Sequence, residues 1–206
     1  MRTIYAIGEI HPHELATMAM GEAGMPATAY QFDGDRYNNF VRQYLIMGFQ
    51  IQNSGASPES MESARRKLIA AYKTLAKERQ LLEEFRPDIF YVESSRKRPH
   101  ILFDIAEKLG ANVVHLDDGF QPYEDFISGK ISKEKAQIGR EEYWACEKIK
   151  ETGNGQKGLL LAGRAHIFPN GVDSNVGQLP RMLANMGIEL KILYDAEEIL
   201  RNPTSC

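Results

Sequence analysis

Gly158-Leu159-Leu160-Leu161-Ala162-Gly163-Arg164-Ala165-His166 is a short apolar run that closes on a G-x-x-H phrase. With no polar position alternating through it, the run reads as a strand buried on both faces. Strands of that kind belong to parallel sheets covered by helices. The same pattern stands near the start, where Thr3-Ile4-Tyr5-Ala6-Ile7 leads into Gly8-Glu9-Ile10-His11. A third run, Asp88-Ile89-Phe90-Tyr91-Val92, ends on a carboxylate, Glu93. In parallel α/β sheets ligands bind at the carboxyl ends of strands. His11, His166 and Glu93 are therefore expected to converge on one sheet edge.

Helical patterns fill the intervals between these runs. Apolar residues recur at helical spacing from Arg36 to Gln52, and Ser57-Pro58 is an N-cap followed by proline at the first helical position. The long helix that follows is stopped by Pro87. Further helices are expected over 99–109, from Ser132 to about Lys150, and over 176–186. Further strands are expected at Ala27–Phe32, Asn112–Leu116 and Glu189–Leu193. The alternation predicts an α/β fold: one domain over residues 1–206, with a mixed, mostly parallel sheet flanked by helices. A length of 206 residues with 43% hydrophobic content is enough for one sizeable core.

The bulk composition excludes some partners. A net charge of −3 gives no basic field for nucleic acid or an anionic membrane. No stretch approaches the ~18 apolar residues of a membrane span. The N-terminus runs directly into a strand, without the charged and apolar regions of a secretory leader. The two cysteines, Cys146 and Cys206, make no disulfide framework. A cytoplasmic protein acting on a small molecule or a peptide is the expectation.

Around the strand ends several residues have two readings. A glycine three positions before the histidine lets the strand end bend and leaves room near the backbone. Glu9 could orient an imidazole, act as a base, or bind a local amide. Asp117-Asp118-Gly119 could supply a ligand or base, and is equally ordinary turn chemistry. His13, His100, the Arg96-Lys97-Arg98 run and Glu141 read as solvated, and His115 as a satisfied core histidine. From pattern alone Arg140 reads as a surface ion pair. Site residues at strand ends are expected to contribute little to the buried core.

Taken in order, four segments resemble the TraB/Tiki proteins, which group with erythromycin-esterase-like and ChaN-like haem-binding proteins. The segments are the first G-x-x-H, Arg86-Pro87-Asp88-Ile89-Phe90-Tyr91-Val92-Glu93, Gly139-Arg140-Glu141-Glu142-Tyr143-Trp144, and the second G-x-x-H. The resemblance runs from about Ile4 to Leu193 and implies a TraB/Tiki/ChaN-like fold. It implies a site of His11, Glu93, Arg140 and His166, with Glu9 matching the G-E-x-H form of the esterase-like branch. The implied activity is that of a metal-dependent peptidase or an esterase. In the metal-dependent form His11, Glu93 and His166 would hold Zn, Mn or Co, Arg140 would stabilise the oxyanion and Glu9 would be the base. The esterase-like form needs no metal and uses an imidazole as base. The rival expectation is a non-enzymatic protein holding haem or a small anion in the same pocket.

Overall fold

The computed structural model describes residues 2–26, 36–150, 153, 155–168 and 177–201. The first strand, β1 (Arg2–Glu9), is followed by three helices, α1 (Pro12–Glu22), α2 (Arg36–Gln52) and α3 (Pro58–Phe85). Then come β2 (Ile89–Val92), α4 (Phe103–Lys108), β3 (Asn112–His115), α5 (Gln121–Ile127) and α6 (Lys133–Gln137). Next, α7 (Arg140–Tyr143) runs directly into a π-helical stretch, Trp144–Ile149. The chain continues through β4 (Gly158–Gly163), α8 (Arg164–Ile167), α9 (Leu179–Asn185), β5 (Ile188–Asp195) and α10 (Glu197–Arg201).

All strand pairs are parallel, in the order β3-β2-β4-β1-β5. The sheet is thus wholly parallel, and β4, the strand of unbroken apolar residues, is its centre. Every residue of β4 and β2 is buried. Their side chains divide between two layers. Phe90, Val92, Leu159 and Leu161 join Ile7 under α3 and α4, together with Phe40 of α2, Leu75 and Leu82. Ile89, Tyr91, Leu160 and Ala162 join Ile4 and Ala6 against Trp144, Ile149, Leu179 and Leu183. The chain is therefore a single α/β domain of three layers, helices on both faces of one sheet. Leu160, fully buried in the second layer, tests that core. Leu160→Ala is expected to cost ~2–5 kcal/mol, read from the midpoint of a urea melt.

Several boundaries differ from the sequence expectation. Helix α3 begins as expected, with the Ser57 side chain accepting the Ser60 N–H at 3.2 Å. The helix expected unbroken from Ser132 to about Lys150 is two pieces. Gly139 takes a φ of +74°, a left-handed conformation that ends α6 and restarts the chain as α7. The helix expected from Pro99 begins only at Phe103, and His100, ahead of it, turns inward to Glu9. Helix α5 has no counterpart in the sequence reading. The helix expected at 176–186 is described as α9, Leu179–Asn185, and the expected strand Ala27–Phe32 lies outside the described residues.

Candidate functional site

Strand β1 pairs directly with β4, Glu9 opposite Gly163, so the two G-x-x-H motifs leave the same edge of the sheet side by side. His11 caps the start of α1 and His166 lies in α8, the single turn that follows β4. On the other side of β4, β2 delivers Glu93. Its carboxylate accepts the Gly163 N–H through Oε2 at 2.6 Å. Close approach at this point favours glycine. A Cβ on Gly163 would stand 3.0 Å from Glu93 Oε2 and 3.1 Å from His11 Nε2.

Glu93 Oε1 is the centre of the site. Arg140 Nη1 reaches it at 2.9 Å, His166 Nε2 lies 3.5 Å away and His11 Nε2 3.8 Å away. Each imidazole is held from behind by its own carboxylate. His11 Nδ1 donates to Glu9 Oε1 at 2.6 Å, and His166 Nδ1 donates to Glu141 Oε1 at 2.6 Å. Those carboxylates are themselves fixed. Glu141 accepts the N–H groups of Gly177 and Gln178, and Glu9 Oε2 accepts from His100 Nε2 at 3.0 Å. His100 Nδ1 in turn accepts the Leu102 N–H, which places the ring proton on Nε2. A carboxylate behind each Nδ1 sets both rings in one tautomer and turns both Nε2 atoms toward Glu93.

Arg140 is held as firmly. Its Nε and Nη2 donate to the two oxygens of Asp117, at 2.7 Å each, and its guanidinium lies against the Tyr123 and Trp144 rings. Trp144 donates its indole N–H to Asp117 and meets the His166 ring edge-on.

The five expected site residues, Glu9, His11, Glu93, Arg140 and His166, are brought together, but not as superficial strand-end groups. Glu9, Arg140 and His166 are buried, and the His11 side chain, 24% exposed, is the opening of the site. Three sequence readings are corrected. Arg140 is a buried bridge between Glu93 and Asp117 rather than a surface ion pair. Glu141 is buried and holds His166 rather than being solvated. His100 turns in to Glu9, its side chain 9% exposed. The signal for Arg140 and Glu141 was Gly139, which rotates the helix after it. His13 is exposed, as expected, with its ring near that of His11. His115 is buried and bonded to the Ser94 hydroxyl.

Burial and charge compete throughout the cluster. Burial alone would raise the Glu93 carboxyl, but Arg140, His11 and His166 outweigh it and hold Glu93 well below the usual range. Burial is likewise overcome at Glu9 by His100 and His11, and Glu9 too is held low. Burial disfavours the charged imidazoles, yet Glu9 and Glu93 push His11 up to about 10. Glu141 and Glu93 push His166 up to about 9. These shifts fix the sign of a stability profile. The histidine contribution is complete below the ordinary value of 6.5 and is lost as pH rises through about 9 and about 10. The Glu9 and Glu93 contribution is complete above their ordinary 4.5 and is lost as pH falls. The melting temperature is therefore expected to fall steadily from pH 6.5 to 10, and His166→Gln to flatten that decline. Melts across this range in one buffer series check it.

Ligand atoms of Glu9, His11 and Glu93 lie within 4.8 Å of one another, and those of Glu9, Glu78 and His100 form a second such group. His166 belongs to neither. The donor types around Glu93 suit a divalent ion, but the fit is poor. Arg140 already occupies the Glu93 oxygen that both imidazoles face, and it would set a fixed positive charge against the ion.

Compared with family models, curated proteins and solved structures, the chain gives no significant match to any.

Proposed function

We propose that the chain is a hydrolase of the esterase type, cleaving an ester or amide of a small molecule or peptide by proton transfer through its imidazoles. The observation that supports this most is the pair of carboxylate-held rings turned toward one carboxylate. Such a pair can take a proton from an attacking water and return one to a leaving group. His11, at the opening, is the ring that meets substrate or water. His166, deeper, completes the proton path, and its cationic form faces charge that develops on the carbonyl oxygen. Glu9 has both oxygens engaged and 1% exposure, so its role is to orient His11 rather than to act as the base. Arg140 has its donors committed to Glu93 and Asp117. It sets the position and charge of Glu93 and leaves the oxyanion to the imidazoles. The TraB/Tiki resemblance points to His11, Glu93, Arg140 and His166, with Glu9 as in its esterase-like branch, and no step here passes through a metal.

The test is a panel of activated esters and short peptides, assayed after chelator treatment. Hydrolysis is expected to survive the chelator and to rise with pH toward the His166 and His11 values, as the neutral base becomes populated. Absence of turnover across the panel, with small anions or haem raising the melting temperature, would favour the binding-protein reading. Activity that chelation abolishes and Zn, Mn or Co restores would return the metal-dependent form.

A further inference from the structure

Behind Glu9, on the α3 side of the sheet, lies a second polar group that the proposed hydrolysis does not use. Glu78 of α3 is fully buried, and neither of its carboxyl oxygens has a hydrogen-bond partner among the described residues. Thr74, one helical turn earlier on the same face, is also fully buried with its hydroxyl unpartnered. The Tyr194 hydroxyl, from β5, is a third group with no hydrogen-bond partner among the described residues; burial and the nearby Glu78 carboxyl push that phenol up, and the Thr74 hydroxyl beside it offsets part of the rise. Ligand atoms of Glu78, Glu9 and His100 lie within 4.8 Å of one another. An interior that leaves four oxygens of three neighbouring side chains unpaired is costly unless something binds them.

We propose that Glu9 and Glu78 hold a hard divalent cation of the Mg2+, Mn2+ or Ca2+ class, with the Thr74 and Tyr194 hydroxyls in its oxygen shell. The nitrogen of His100 is not a ligand in this arrangement, because its Nε2 carries the proton that it donates to Glu9. Oxygen ligands with two carboxylates select hard cations over Zn or Cu. A proton on Glu78 alone would still leave its carboxyl oxygens without a hydrogen-bond partner among the described residues. A divalent cation answers all four oxygens at once. It would also brace Glu9, and through Glu9 the His11 ring, from a position outside the proton path.

The experiment titrates MnCl2 into the chelator-stripped 206-residue chain, counting bound Mn2+ by electron paramagnetic resonance and following the melting temperature. Wild type and Glu93→Gln are each expected to bind one Mn2+ and to melt higher with it, with Mg2+ or Ca2+ competing. Glu78→Gln is expected to lose the ion. Thr74→Val, which keeps the side-chain shape, is expected to bind about tenfold more weakly or worse, and decides the matter should Glu78→Gln not fold. Three results would overturn the proposal: no bound ion in wild type, binding lost with Glu93→Gln, or binding unaffected by both Glu78→Gln and Thr74→Val.

Discussion

Arg140→Ala is expected to be the most destabilising single change at the site, costing ~3–5 kcal/mol. The reason is that one guanidinium neutralises two buried carboxylates. It spans Asp117 through two hydrogen bonds and Glu93 through a third contact. Removing it leaves both acids in the interior facing each other's charge, and it empties the space between the Tyr123 and Trp144 rings. A chain of this size should lose about 6–20 °C of melting temperature. Arg140→Lys is expected to recover only part of that loss, because an ammonium cannot fork to Asp117 and reach Glu93 together. A loss under about 1 kcal/mol for Arg140→Ala would be the signature of an exposed pair and would contradict the buried bridge.

His11→Asn is expected to give the largest loss of activity at the site, separable from its effect on the fold by pH. The asparagine amide can keep a donor toward Glu9 while removing Nε2, the atom that faces Glu93 and the opening. Turnover of a responsive ester should fall by ~10²–10⁴, while the melting temperature falls at neutral pH, where the His11 charge faces Glu9 and Glu93, and comes close to wild type at about pH 10, where that charge is lost. The partly exposed position of His11 makes this separation possible. His166 offers no such separation, since it is buried between Trp144, Glu141 and Glu93. If His11→Asn retains wild-type turnover, proton transfer through that ring is not the reaction.

The parallel sheet was legible because β4 and β2 carry no polar residue to mark a solvent face. The strand ends were legible because each motif follows such a run within three residues. What stayed hidden was everything set by rotation rather than by spacing. Arg140 and Glu141 belong to a segment whose polar residues look like an ordinary wet face. Only the left-handed turn at Gly139 aims them inward, and sequence periodicity carries no phase across such a break. Asp117 was visible as an acidic turn, but its partner lies 23 positions ahead. His100 was hidden by the basic loop before it, whose Arg96 is indeed exposed. Glu78 was hidden by its helix. A glutamate in a long stripe of lysines, arginines and glutamates gives no sign of facing the core.

The strand order β3-β2-β4-β1-β5 has a consequence for how the chain reaches its native state. Strand β1 finds its neighbours in β4 and β5, so among the described residues Arg2–Glu9 has no sheet partner until residues beyond 157 have been made. Until then both of its hydrogen-bonding edges stay open, on a segment that carries Ile4, Tyr5, Ala6 and Ile7. Contacts of such long sequence separation slow folding, and unpaired apolar strands are the template on which nascent chains associate. Fragments ending before β4 should therefore collect as aggregates. The full chain should refold slowly at first, then cooperatively once β4 docks between β1 and β2. The docking that closes the sheet also brings Gly163 to Glu93 and His166 to His11. Assembly of the reactive centre and completion of the sheet are thus one kinetic event, and a half-folded chain holds no half-formed site.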